Sequence, residues 1–190
     1  MPMPPSHTQP AHAAPGGTES LVVATGGSAT AGGTTTAATG SVDVWAHHAG
    51  HASIAIGDAL FQAEAGATGS ATPTAAATTF FNESGANVTV LLESSGSTQG
   101  STDASAGSTL HFIAIANGSS NPHGPVVIDV QLPFHSHPDA SAVDASAGNY
   151  AQVAATADAY GTGTTAATVS DATTVENQFS FVHAASLVAV

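Results

Sequence analysis

The sequence predicts an all-β fold, a single sandwich or barrel-like domain of short antiparallel strands, with a β-solenoid as the alternative. Two observations carry this expectation. Large apolar residues recur with period two in short runs, and Gly, Ser and Thr turns separate those runs. The stretch "GGSATAGGTTTAATG" at 26–40 is also too rich in glycine and β-branched threonine for a helix.

Residues 1–19 hold Pro2, Pro4, Pro5, Pro10 and Pro15. Proline fixes φ and lacks a ladder donor, so this stretch reads as an extended arm ahead of one β-rich domain over 20–190. "LVVAT" at 21–25 is the first strand. "GGSATAGGTTTAATG" follows, and then "SVDVW", which sets Val42 and Val44 on one face with Asp43 and Trp45 on the other. "ASIAI" repeats the alternation with Ile54 and Ile56. "GDALFQAEAGA" at 57–67 is the best helix candidate, although Ala59, Phe61, Ala63 and Ala65 also fit period two.

The clearest strands are "NVTVLLE" with Val88, Val90 and Leu92, "TLHFIAIA" with Leu110, Phe112 and Ala114, and "VVIDVQL" with Val126, Ile128, Val130 and Leu132. The "ANGSSNPHGP" stretch between the last two reads as a hairpin loop. "NQFSFVH" aligns Phe179, Phe181 and His183 before "SLVAV" ends the chain. The five residues "DASAG" occur at Asp103–Gly107 and again at Asp144–Gly148, a weak echo in so repetitive a composition.

Composition sharpens the electrostatics. Ala, Gly, Ser and Thr supply 105 of 190 residues, while Val, Ile, Leu and Phe supply only 35, so the core is expected to be thin. Charged residues make up 7%, yet the formal charge is −13 because Lys and Arg are absent altogether. Ordinary composition would give them roughly a tenth of the chain. No guanidinium fork or ammonium is therefore available for phosphate, which makes nucleic acid and anionic membranes poor partners. No run is long enough to span a membrane. A chain without Lys or Arg also offers no cleavage site to trypsin-like proteases, which suits an extracellular or cell-surface setting. The N-terminus has no basic and apolar signal-peptide pattern, whereas "FSFVHAASLVAV" resembles the small-apolar C-terminal ends of substrates of ABC-type exporters. There is no Cys, hence no disulfide and no thiol chemistry.

The ten histidines are the only side chains that can become cationic. His47, His48 and His51 cluster in "VWAHHAGH", and His135 and His137 form an H-x-H pair in "LPFHSHPD". Two rings on one face of a strand suit Zn²⁺ or Cu²⁺, with the first cluster completing the set; His47 and His51 would share a face if helical. "FHSH" is similar to the H-x-H copper ligands of Cu/Zn superoxide dismutases, but the disulfide and active-site arginine of that family are impossible here. The second reading treats the histidines together. With an ordinary imidazole pKa near ~6.5, mild acid would take the charge from −13 toward −3 and weaken repulsion between subunits.

Catalytic signatures are weak. "GTGTTA" at 161–166 fits G-x-G-x-x-A without a helix pattern behind it, and the chain has neither a G-x-S-x-G elbow nor H-E-x-x-H. Calcium loops are also missing, though surface Ca²⁺ remains open as a counter-ion. Sequons stand at Asn82, Asn87 and Asn117. These features predict a non-enzymatic, extracellular structural protein that assembles with itself into a filament or surface layer. Strand addition by "SLVVAT" or "SFVHAASLVAV" is one expected route. A secreted His-rich Zn/Cu-binding protein is the alternative.

Overall fold

Residues 21–49, 52–68, 72–85, 87–100, 103–117 and 148–190 are described by the computed structural model. Among them lie nine strands and no helix: β1 (Leu21–Gly32), β2 (Thr35–Ala49), β3 (Ala52–Gly66), β4 (Thr74–Gly85), β5 (Val88–Gly100), β6 (Asp103–Asn117), β7 (Asn149–Tyr160), β8 (Thr165–Val175) and β9 (Phe179–Ala189). They form two sheets, A in the order β4-β1-β9-β8 and B in the order β5-β6-β3-β2-β7. The β2–β7 ladder is parallel and the others are antiparallel. The sheets pack face to face and, among the described residues, each ends in two edge strands, which makes the fold an open sandwich and sets aside the barrel and solenoid alternatives.

The stretch 57–67, which fitted both a helix and period two, takes the second option and forms most of β3, a central strand of sheet B. Its period-two residues Ala59, Phe61, Ala63 and Ala65 are all buried, so tertiary packing against sheet A overrides the helix propensity of Ala, Glu and Gln. Val42 and Val44 face the core as the alternation requires, and so do Leu110, Phe112 and Ala114. On β9 the core face is Ser180, Val182, Ala184, Ser186 and Val188, so Phe179, Phe181 and His183 share the opposite, outward face. The arm at 1–19, the strand expected at 126–132 and most of the loop before it lie outside the described residues.

Small residues dominate the interior, so a few rings fill it. Phe61 is fully buried and lies over two glycines, Gly27 of sheet A and its cross-strand neighbour Gly40. A Cβ at either glycine would stand 2.6 Å or 2.5 Å from that ring, so the glycines are the space the ring occupies. Phe81 and Phe112 meet at 4.7 Å between the sheets. Buried hydroxyls are paired: Ser180 Oγ donates to the Thr36 carbonyl (3.2 Å) and accepts from Thr36 Oγ1 (2.7 Å). Thr25 Oγ1 donates to the Phe80 carbonyl at 2.9 Å. No buried side-chain polar atom among the described residues lacks a partner, which limits the desolvation cost of a hydroxyl-rich core.

Both candidate donor strands are used internally. β1 lies between β4 and β9, and β9 between β1 and β8, while Leu21 and Val190 exchange two backbone hydrogen bonds of 2.9 Å. A strand paired on both sides has no edge left for a neighbour. The "GTGTTA" segment is the turn from β7 into β8, with Gly161 and Gly163 at positive φ, and a strand follows it, not a helix. The first "DASAG" opens β6, whereas of the second only Gly148 is described.

Candidate interaction face

Period two and the ladder registers together decide what sheet B shows to solvent. On β2 and β6 the even-numbered residues face the core, and on β3 the odd ones do. The opposite parity aligns outward in rows across all five strands. One row reads Leu91, Ile113, Ile56, Trp45 and Asp158 from β5 to β7. The row beside it reads Thr89, Ile115, Ile54, His47 and Tyr160. Four of the chain's five isoleucines and its single tryptophan therefore sit on the outside of one sheet.

Their exposure varies with position. Leu91 on the edge strand is 66% exposed and Ile113 36%, while Ile54, flanked by Ile115 and His47, is only 6% exposed. Trp45 stacks on His47 with ring centroids 5.8 Å apart and an interplanar angle of 16°. Tyr160, on the neighbouring strand, tilts against Trp45 with ring centroids 6.1 Å apart. The result is a contiguous apolar and aromatic band across the sheet.

A charged row borders the band. Glu93, His111, Asp58 and Asp43 stand side by side on β5, β6, β3 and β2. Asp43 accepts a hydrogen bond from the Thr156 hydroxyl of β7, which fixes the end of the row. Beyond it the face is mostly polar and small apart from Leu60 and Tyr150, and a shallow hollow of about 180 Å³ is lined by Thr39, Gln62, Glu64, Ser97, Ser105 and Gly107. The hollow offers hydroxyls, an amide and one carboxylate, a set suited to hydrogen bonding.

Two of the five proposed metal ligands are described, and they diverge. His47 and His48 are neighbours on β2, so their side chains leave opposite faces of the sheet. His47 lies in the outward band, while His48 Nδ1 hydrogen-bonds to Ser53 Oγ at 2.8 Å, and Ser53 donates to the Val190 carbonyl. The helical arrangement of His47 with His51 does not apply, because His47 is in a strand. His51, His135 and His137 lie outside the described residues. Among the described residues no three His, Asp or Glu side chains are grouped so as to hold a metal ion.

The outward isoleucines were the feature that alternation alone did not find. Alternation puts Ile54 and Ile56 on one face without saying which; here Ala55 takes the core and the isoleucines lie on the opposite face of the sheet. The available signal was "HFIAIA", in which both parities are apolar, as in a strand buried on two sides. No protein-family model matches the chain, and neither a curated protein nor a solved structure is significantly similar to it, so its geometry alone carries the functional argument.

Proposed function

We propose that this protein is an extracellular structural subunit that assembles with copies of itself into a filament or surface layer. The observation that carries the reading is the outward apolar band centred on Ile56, Ile113 and Trp45. Five strands ~4.8 Å apart and ~13 residues long give a face of about 1,000 Å². A specific interface needs about 800 Å² from each partner, so the face is large enough. The apolar band is two rows of that face, about 300 Å², the size of the largest apolar patch on a soluble protein, which often marks an interaction site.

Charge supports a self-assembling role outside the cell. With no Lys or Arg the protein has little to offer acidic partners, and its own copies repel one another until protons or divalent cations offset the carboxylates. The acidic row next to the band makes that control local.

Trp45 supplies the test, because it is the only tryptophan and sits within the band. Association should grow with concentration in sedimentation velocity, and the Trp45 emission should shift to the blue over the same range. A protein that stays monomeric at high concentration from about pH 4 to about pH 8, with and without Ca²⁺, overturns the proposal.

A further inference from the structure

A face that packs against its own copy about a two-fold axis makes a closed dimer, and a polymer needs a second, different contact. β8 has the features of one. Residues 165–174 are exposed on both faces of the sheet, and among the described residues β8 is hydrogen-bonded into a ladder on one side only, to β9. The other edge strands carry alternating, partly buried side chains or bulky ones: Phe80 and Phe81 on β4, Leu91 and Leu92 on β5, Tyr150 and Tyr160 on β7. β8 contains only Thr, Ala, Val, Ser and one Asp, with no Pro, Lys or Gly to blunt its edge.

We infer that β8 pairs antiparallel with β8 of a second copy about a two-fold axis through Ser170, joining two A sheets into one continuous eight-stranded sheet. This rests on the self-assembly reading and adds its second contact. Ser170 is the midpoint of Thr165–Val175, so the full length of the strand pairs only in this register. Charge favours the same register. Asp171 then stands opposite Val169 of the second copy, whereas a register centred one residue later would set Asp171 against its own image. At residue 171 this register replaces a direct carboxylate–carboxylate pair with a diagonal one, which lowers the repulsion between two copies of a chain of net charge −13. The remaining pairs match small residues with small ones, Thr168 with Ala172 and Ala167 with Thr173.

Because the chain lacks cysteine, single-cysteine variants report this geometry cleanly. In the proposed register residue 170 is the only position that faces itself, well within the ~7 Å Cα separation a disulfide can span, while residue 168 lies about 13 Å along the strand from its own image. Under mild oxidation Ser170→Cys should give a disulfide-linked dimer at least ~10-fold faster than Thr168→Cys on the same face or Thr162→Cys in the preceding turn. Equal rates at the three positions, fastest crosslinking at residue 168, or no crosslinking at all would overturn the pairing. An edge covered by residues 118–147 or by a different protein would give the last of these results. Sedimentation of the unsubstituted protein separates the two proposals. Association without a crosslink at residue 170 removes the β8 contact and leaves self-assembly standing, whereas a monomer without a crosslink removes both.

Discussion

The inside of the sandwich and the outside of sheet B invert the usual division of labour between core and surface. The interior is built mainly from Ala, Val, Ser and Thr around Phe61 and Phe112, while Ile54, Ile56, Ile113, Ile115 and Trp45 face outward. Small inner residues let the two sheets approach closely and leave cohesion to ladders, paired hydroxyls and a few rings. The large outer residues shield one another only in part, since Ile54 is buried among its neighbours while Ile113 and Leu91 remain exposed. The difference teaches that in this composition residue size marks the contact surface more than it marks the core.

The largest effect expected from this contrast is on the inside. Phe61→Ala empties the space that the ring occupies over Gly27 and Gly40. A loss of ~3–5 kcal/mol is expected, measurable by denaturant unfolding at a concentration where only monomer is present. If the loss is below ~1 kcal/mol, the core is not organised around this ring.

Next in size is the outside. Ile56→Ser combined with Ile113→Ser should weaken self-association by about 100-fold, roughly 2.8 kcal/mol, because two side chains no longer enter the contact. The unfolding midpoint of the monomer should move little, since both residues lie on the solvent side of sheet B. Unchanged association, read by sedimentation equilibrium, would mean that the band is not the contact. A large fall in stability would instead make it part of the fold.

How much of this was legible in the sequence depends on what each residue's position is set by. Strand identity was readable wherever alternation coincided with burial, as at Val42 and Val44 or at Leu110, Phe112 and Ala114. It was ambiguous at 57–67, where alanines satisfy both periods and only the packing of Phe61 against sheet A settles the matter. The outward band was not readable from single strands. Ile56, Ile113, Trp45 and Leu91 lie far apart in sequence and become neighbours only through registers across four strands. The divergence of two of the clustered histidines was hidden for a related reason: His47 and His48 are adjacent in sequence and on opposite faces in the sheet.

A smaller effect is expected in the acidic row. Asp58 occupies the central strand of sheet B, between His111 and Asp43 and one row from Ile56. Bringing two such faces together crowds carboxylates that water and salt otherwise screen. Asp58→Asn should therefore strengthen association by ~10-fold at low ionic strength, with the gain fading in about 1 M salt, where the Debye length is ~3 Å. Acidification should act in the same direction on the unsubstituted protein, because it lowers the net negative charge that two copies of a −13 chain bring together. A gain that persists in high salt would point to a packing effect of the amide and not to charge.

The smallest effect is the one that keeps the others honest. Leu187 is an exposed apolar residue too, 38% accessible, but it lies on the outer face of sheet A beside Ala24 and Ala167, among small residues and away from the band. If apolar exposure anywhere drives association, Leu187→Ser should weaken it about as much as a single substitution at Ile113 does. If the contact is specific to sheet B, Leu187→Ser should leave association within about twofold and stability within ~0.5 kcal/mol, the range of an ordinary surface change. The same sedimentation series decides between them. Equal losses at Leu187 and Ile113 would mean the molecule associates by non-specific stickiness, and the inversion between interior and outer face would then describe its composition without describing an interface.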